Sequence, residues 1–184
     1  MHYNLCDLIA DLTQNSIEAQ ATKVTVELLE TDNDLTVYIR DNGKGMSPEI
    51  LQKAANPFYT DGIKHPKRKI GMGIPFLIQT ASDTGGSWDI QSREGEGTTV
   101  SARFDLMNID TPPMGDVSLL FRQILTFPGG YEMQIIRKKQ TKTVFYEYDF
   151  LRSDLIEALG GLETAGDLAL LLDFLQSQED QSGE

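Results

Sequence analysis

The sequence predicts an α+β fold, and three observations support this class. Residues 5–19 place apolar residues at spacings of three and four, which is typical of an amphipathic helix. Two pairs of strand-like segments, within 23–40 and 87–106, are each joined by a short turn and indicate antiparallel hairpins. No repeat with a period of about 20 to 50 residues is visible, so a repeat architecture is not expected.

The first helix is followed by predicted strands and helices in a simple order. The strands alternate apolar and polar residues and are predicted at 23–29, 34–40, 87–92 and 98–106. A loop over 46–70 contains a short helix near 49–55, and a longer helix follows Gly73. In that longer helix Pro75 suits the first position and Gly85 the end, because proline needs no N–H there and glycine adopts a left-handed backbone easily.

The paired prolines Pro112 and Pro113 mark the end of a first domain, which we predict to span 1–110. Segment 111–176 is predicted to be a small α+β extension, in which Asp116 caps the first helix. The further elements of this extension are expected as strands at 131–137 and 143–149 and helices at 154–159 and 165–175.

The extension either packs on the first domain or docks a partner. A leucine stripe on its last helix is expected to be core, and its members are Leu168, Leu171, Leu172 and Leu175. The chain is expected to fray from Gln176, with a disordered acidic tail over 177–184. From Ser153 onward there are eight acidic residues and no lysine or arginine.

Composition excludes several functional classes. The formal net charge of −12 argues against nucleic-acid binding, because contact with phosphates requires a basic face. The single cysteine cannot form an internal disulfide, and with two histidines it matches no familiar zinc spacing. No apolar run approaches the roughly 20 residues that cross a bilayer, and the N-terminus lacks the pattern of a secretory signal. A cytoplasmic protein without membrane insertion is therefore expected.

The first helix carries a candidate metal site. Asp11 and Asn15 are four residues apart, so a carboxylate and an amide oxygen lie one above the other on the helix surface. Such a pair could share one hard cation such as magnesium. An ordinary solvated helix face is the alternative interpretation.

A second candidate lies in the segment D-N-G-K-G-M, which directly follows a predicted strand. Asp41 would present a fixed carboxylate there. Gly43 and Gly45 would allow a flat ligand such as a purine to approach the backbone, because glycine has no Cβ. Asp-Asn-Gly is also common in turns, so a plain turn is the alternative.

Two further candidates lie before and at the start of the next helix. The loop before it contains Asn56, Phe58 and Tyr59, followed by a basic run of Lys64, Lys67, Arg68 and Lys69 that is either solvated or placed to meet an anionic ligand. Gly71, Met72 and Gly73 then open the helix. Free N–H groups and the positive end of the helix dipole could receive phosphates at this point.

The order of these segments resembles the ATP-binding domain shared by DNA gyrase, heat-shock chaperones, histidine kinases and mismatch-repair proteins, the GHKL superfamily. The corresponding motifs read D-L-T-Q-N-S-I-E-A-Q-A-T, D-N-G-K-G-M, N-P-F-Y-T, G-M-G-I and G-E-G-T-T-V, within residues 1 to about 106. The first motif looks like the mismatch-repair branch, whereas the third and fifth look like the histidine-kinase branch. The whole pattern, with I-D-T-P-P-M-G-D, also resembles small stand-alone ATP-binding proteins of bacterial iron-hydrogenase gene clusters.

The resemblance implies an α/β two-layer sandwich, in which helices cover one face of a mixed and mostly antiparallel sheet. It implies that Asn15 binds magnesium and that Asp41 accepts a hydrogen bond from the adenine amino group. Further ATP contacts are implied for Gly43, Gly45, Met46, Phe58, Lys69, Gly71, Met72, Gly73, Ile74, Thr98 and Thr99. Asp11 lies where the ATPase branches carry a glutamate that positions the attacking water, and this shorter carboxylate leaves rapid hydrolysis an open question.

The implied function is that of an Mg·ATP-binding regulatory protein with kinase-like phosphoryl transfer or slow ATPase activity, in which loop 46–70 closes over the phosphates. The alternative is a non-catalytic module in which ATP switches the affinity for a protein partner. A protein partner or phosphoryl acceptor is expected in either case, and homodimer formation stays open. Autophosphorylation on histidine is not expected, because only Met1–Asn4 precede the first helix in this sequence.

Overall fold

The computed structural model describes residues 4–56 and 73–180. Its strands are β1 (Lys23–Thr31), β2 (Asp34–Asp41), β3 (Ser87–Arg93), β4 (Gly97–Asp105), β5 (Glu132–Gln140) and β6 (Phe145–Leu151). Within the described residues they form one six-stranded sheet in the order β3-β4-β2-β1-β5-β6. Neighbouring strands are antiparallel except for β1 and β5, which are parallel. The predicted mixed and mostly antiparallel sheet is confirmed.

Helices precede, interrupt and follow the strands. They are α1 (Leu5–Glu18), α2 (Pro48–Ala54), α3 (Gly73–Asp83), α4 (Val117–Leu125), α5 (Arg152–Leu159) and α6 (Ala165–Glu179). Four of them begin at a capping residue, whose side-chain oxygen accepts a hydrogen bond from an otherwise unpaired backbone N–H of the first turn. These caps are Asn4, Ser47, Asp116 and Thr164, and Asp116 is the cap that the sequence predicted. In the part of the chain that the structure describes, no helix has both the length and the apolar character needed to cross a membrane.

The hydrophobic core lies between the helices and one face of the sheet. Alternate residues of a strand point to the same face, and in β1 and β2 the residues of one face are almost fully buried, namely Val24, Val26, Leu28, Leu35, Val37 and Ile39. Helix α1 packs over β1 and β2, α3 over β3 and β4, and α5 over β5 and β6. The predicted α+β two-layer sandwich is confirmed.

Residues beyond the predicted boundary at 110 extend the same sheet. Strand β5 pairs in parallel with β1, from Lys23 opposite Glu132 to Thr31 opposite Gln140. Helix α4 packs against α1, and α6 packs against α4. Leu171 and Leu175 of α6 are fully buried, so these two members of the leucine stripe belong to the core as expected.

Two helix boundaries differ from the prediction. Helix α3 begins at Gly73, so Pro75 is its third residue. Proline is accepted there because N–H groups of the first turn have no helical partner. Helix α6 continues to Glu179, so the fraying expected from Gln176 is wrong as far as this residue. Glu179 accepts hydrogen bonds from Arg137, Tyr146 and Tyr148, and these contacts hold the last turn of the helix.

Candidate functional site

Asp41 is the last residue of β2, and three donors converge on its carboxylate. The Ser16 hydroxyl donates to Oδ2 over 2.6 Å, and the backbone N–H groups of Gly43 and Thr98 donate to Oδ1 over 2.8 and 3.2 Å. A carboxylate offers about four acceptor positions, so these three bonds leave Oδ2 able to accept another. The carboxylate is thus held in one orientation and can still bind a donor from a ligand.

Helix α1 connects Asp41 with the start of α3. Ser16, which contacts Asp41, directly follows Asn15 on this helix. A Cβ atom added to Gly73, the first residue of α3, would lie 3.5 Å from Nδ2 of Asn15 and 3.6 Å from Cβ of Asp11. The two side chains predicted to hold a metal therefore lie beside the helix end predicted to receive phosphates.

Gly43 and Gly45 are required by the packing of the chain on itself. A Cβ atom at Gly43 would lie 2.8 Å from the carbonyl oxygen of Ala19, and one at Gly45 would lie 1.8 Å from that of Arg93. Gly45 also has a φ of 63°, a left-handed conformation that favours glycine. The sequence argument explained both glycines by ligand access, whereas the steric need visible here comes from protein backbone. Their contact with adenine stays a prediction.

The turn between β3 and β4 holds the D-N-G-K-G-M segment. Gly95 N–H donates to the Lys44 carbonyl oxygen over 2.7 Å, and Met46 N–H donates to the Ser92 hydroxyl over 2.8 Å. The same hydroxyl lies 2.8 Å from Oγ1 of Thr98. Met46, where the predicted lid begins, is therefore anchored to β3 and β4 through Ser92.

Thr98 and Thr99 lie on opposite faces of the sheet. In the register of β2 and β4, Thr98 is opposite Asp41, and Thr99 is opposite Arg40. Asp41 shares the helix-covered face with Ile39 because alternate residues of a strand point the same way. The structure brings Thr98 to Asp41, and it places the Thr99 side chain on the other side of the sheet.

The remaining predicted residues fall into two groups. The side chain of Ile74 is 9% exposed and packs in the core, and its predicted contact with the nucleotide stays a prediction. Phe58, Lys69, Gly71 and Met72 lie outside the described residues, and so does the basic run of the predicted lid. Their predicted contacts with the nucleotide stay predictions.

Two site residues were missed by the sequence argument, Ser16 and Ser92. Ser16 lies on the buried face of α1, four residues after Leu12, and it is 4% exposed. A buried hydroxyl requires a hydrogen-bond partner, so a small polar residue on that face was the available signal. The sequence holds no comparable signal for Ser92, which acquires its role from the strand pairing.

The described part of the site offers a few oxygen donors for a metal ion. Among residues 4–56 and 73–180, no group of three or more His, Cys, Asp or Glu side chains could hold a metal ion. Asp11 and Asn15 supply a carboxylate and an amide oxygen, which are donors suited to magnesium. Magnesium usually takes one or two protein ligands and completes its shell with water and substrate phosphates. This donor set fits magnesium that arrives with a nucleotide.

Comparisons with known proteins found one matching family model and several similar proteins. Residues 3–108 match the family model described as histidine kinase-, DNA gyrase B-, and HSP90-like ATPase. The chain is 32% identical over 98 residues to an NtrY-like sensor histidine kinase of Rickettsia conorii. The aligned region covers 53% of this chain and 16% of that kinase. The chain is 31% identical over 106 residues to the histidine protein kinase DivJ of Caulobacter vibrioides, with 56% and 18% covered.

The comparison with solved structures found a likeness to the MutL ATPase domain of Aquifex aeolicus complexed with ADP. That domain shares 18% sequence identity with this chain at a TM-score of 0.48, with 88% of this chain and 70% of that chain covered. The two kinases are much longer than the parts that match, since only 16% and 18% of their lengths align. The family model, however, matches more than half of the chain. The chain therefore belongs to the family of histidine kinase-, DNA gyrase B- and HSP90-like ATPases.

Proposed function

We propose that this chain binds Mg·ATP and acts as a regulatory protein with kinase-like phosphoryl transfer or slow ATPase activity. The observation that supports this most is the carboxylate of Asp41, which Ser16, Gly43 and Thr98 hold in place while one acceptor position remains on Oδ2. An adenine amino group is a donor of the kind that this position accepts. Asp41 would therefore bind the base.

The phosphates would lie at the start of α3. Gly73 carries no side chain there, and α3 begins at this residue, so its first N–H groups and the positive end of its dipole favour an anion. Asn15 lies next to Gly73 and would hold magnesium, and Asp11 lies beside the same glycine. Bound magnesium would supply neutralisation of the phosphate charge that develops during phosphoryl transfer.

Asp11 is the residue that would act in the chemical step. Its carboxylate would accept a hydrogen bond from the attacking water or acceptor hydroxyl and so orient that nucleophile. Loop 46–70 would close over the phosphates and keep bulk water away from them. The shorter reach of aspartate compared with glutamate favours slow turnover, and it is also the feature that favours the non-catalytic alternative.

Binding is tested first, by titration calorimetry of the chain with Mg·ATP. Asp41→Asn removes an acceptor and introduces an amide donor that faces the adenine amino group. We expect the affinity to fall by about 10- to 150-fold, the range for a hydrogen bond to a charged group. Asp173→Asn is a matched control, since Asp173 is exposed on α6. Equal affinity of the Asp41→Asn variant and the wild type would overturn the proposed base site.

Catalysis is tested with ATP labelled on the γ-phosphate, incubated with the chain and a cell extract. Phosphoryl transfer predicts a labelled partner protein, and ATPase activity predicts labelled free phosphate. Asp11→Asn should lose both products and keep ATP binding. If the wild type binds ATP and releases neither product, the non-catalytic switch is the function, and the measurement to make is partner affinity with and without ATP.

A further inference from the structure

Strand β6 forms one edge of the sheet. It pairs with β5 on one side, and no described strand pairs with its other side. In an antiparallel pair, alternate residues direct their N–H and C=O groups toward the neighbour and the others direct them away. The outer edge of β6 therefore presents a row of backbone donors and acceptors, which is a template for a further strand.

The edge is regular along its whole length. The pairing with β5 runs without interruption from Gln134 opposite Leu151 to Gln140 opposite Phe145. No proline or bulge interrupts it, although these are common devices that prevent a further strand from pairing. On the inner face the rings of Tyr146, Tyr148 and Phe150 stack in succession at 6.2 and 5.8 Å between centroids. These stacked rings pack against one another along the inner face of β6.

The outer face of β6 has a distinctive order of side chains, because alternate residues share it. Phe145 and Leu151 lie at its ends and are 62% and 37% exposed. Glu147 and Asp149 lie between them and are also exposed. Glu147 is 3.7 Å from Lys138, an ion pair of two exposed groups that contributes little and is easily exchanged.

A second copy of this chain is a poor occupant of the edge. Antiparallel pairing of two β6 strands about Tyr148 places Glu147 of each opposite Asp149 of the other. Pairing centred on Glu147 or on Asp149 places a carboxylate opposite its own equivalent. Like charges directly opposite each other destabilise a strand pair, so the two acids disfavour each of these registers.

We propose that β6 binds an extended segment of a partner protein as a seventh strand, and that this segment carries lysine or arginine opposite Glu147 and Asp149 with apolar residues at its ends. Main-chain hydrogen bonds supply affinity in this mode and alternate side chains supply selectivity. The acidic residues from Ser153 onward contribute to the formal net charge of −12, which favours the approach of a basic segment. The surface lies outside the family match over 3–108 and needs no nucleotide, so this proposal stands apart from the proposed function.

The test uses a fluorescein-labelled peptide, Val-Thr-Lys-Thr-Lys-Thr-Val, titrated with the full chain and followed by fluorescence anisotropy without ATP. On one face of this peptide the two lysines would lie opposite Glu147 and Asp149, and the terminal valines opposite Phe145 and Leu151. One control peptide has glutamate in place of lysine. A second keeps the lysines and carries N-methyl groups on alternate residues, so that the edge facing β6 cannot donate hydrogen bonds. We expect the first peptide to bind at least about tenfold more tightly than either control.

The position of binding is tested on the protein side. The double variant Glu147→Lys with Asp149→Lys should weaken binding at least about tenfold. The matched control is Glu163→Lys with Asp173→Lys, which changes the net charge equally at exposed positions on or before α6 and should bind as the wild type does. In the wild type, hydrogen exchange of amides in β6 should slow when the peptide binds.

Several results would overturn the proposal. These are equally tight binding of the N-methylated peptide, equal weakening by the matched control variant, protection of β3 at the other edge in place of β6, and no saturable binding at all. If the β6 double variant fails to fold, the comparison of the three peptides and the exchange measurement on the wild type still decide the question.

Discussion

The hydroxyl of Ser16 donates a hydrogen bond to Oδ2 of Asp41 over 2.6 Å, and this contact joins the C-terminal half of α1 to the end of β2. Oδ1 of the same carboxylate is engaged by the backbone of Gly43 and Thr98. Ser16 therefore orients the oxygen that remains able to meet a ligand. Since α1 also carries Asp11 and Asn15, one helix would position both the proposed base site and the proposed metal site.

Ser16→Ala should weaken Mg·ATP binding and leave the fold intact. Loss of one hydrogen bond of about 0.5 to 1.5 kcal/mol predicts a decrease in affinity of about 2- to 12-fold, because Asp41 is then free to rotate away from the base. Titration calorimetry measures the affinity, and circular dichroism checks the fold. Ser177→Ala on α6 is the control, since Ser177 is exposed. An unchanged affinity would show that Ser16 does not orient the carboxylate for binding.

Gly73 and Gly45 should respond differently to replacement by alanine. At Gly73 the new Cβ would meet its nearest neighbours at 3.4 to 3.6 Å, which is ordinary contact, so Gly73→Ala should fold with an equal or higher melting temperature. It should nevertheless lose ATP affinity, because the methyl group stands where phosphates would approach the helix N–H groups. Thermal melting and calorimetry measure both effects, and full ATP affinity in this variant would argue against a phosphate site at α3.

Gly45→Ala should be destabilising. Its Cβ would lie 1.8 Å from the Arg93 carbonyl oxygen, and its φ is 63°, so the free energy of unfolding should fall by more than about 1 kcal/mol. Gly85→Ala is the control, because Gly85 also has a positive φ of 76° but has no atom within 4 Å of the added Cβ. Equal losses in the two variants would mean that backbone strain alone, and not the contact with Arg93, requires glycine at position 45.

Arg137 is 1% exposed and forms ion pairs with Glu30 and Glu179. Tyr146 and Tyr148 also donate to Glu179, over 2.7 and 2.6 Å. Burial alone would raise the pKa of Glu179, but the hydrogen bond and charge of Arg137, together with the two tyrosine hydrogen bonds, outweigh burial and lower this pKa. The ionised carboxylate is therefore favoured by folding.

Glu179→Gln should lower stability in a pH-dependent manner. Because the pKa of Glu179 is lower in the folded state, its contribution is complete above the unfolded pKa of about 4.3 and is lost as the pH falls through the folded value. At neutral pH we expect a loss of about 2 to 4 kcal/mol, and this loss should shrink in acid. Urea denaturation at several pH values measures it, with Glu157→Gln at an exposed site as control. Parallel pH curves for the Glu179→Gln variant and the wild type would contradict the role of this carboxylate.

Cys6 should report unfolding. Burial raises the pKa of its thiol to about 12, and the side chain is 5% exposed, so neither thiolate nor access is available in the folded protein. We expect iodoacetamide to modify it at least about 100-fold more slowly than in concentrated guanidinium chloride. Mg·ATP should slow the modification further by stabilising the folded state. Rapid modification of the folded chain would show that α1 opens locally around Cys6.

The sequence by itself determined the elements whose signals are local. The amphipathic repeat of α1, the two hairpins and the Asp116 cap depend on residues close together in the chain, and the structure has each of them. The motif order also identified the family, and it pointed to Asp41, Asn15 and Gly73 before any distance was known. Periodicity and capping report on such features because they arise from neighbouring residues.

Only the tertiary structure decided which distant residues meet. Strand order and register determine the parallel pairing of β1 with β5 and the position of Thr98, rather than Thr99, beside Asp41. They also place the Ser92 hydroxyl where it accepts a hydrogen bond from the Met46 N–H. The burial of Arg137 among carboxylates and the open edge at β6 depend on the same choices. A strand pattern specifies which residues share a face, but it does not specify the neighbouring strand, because that choice is made by contacts across the whole core.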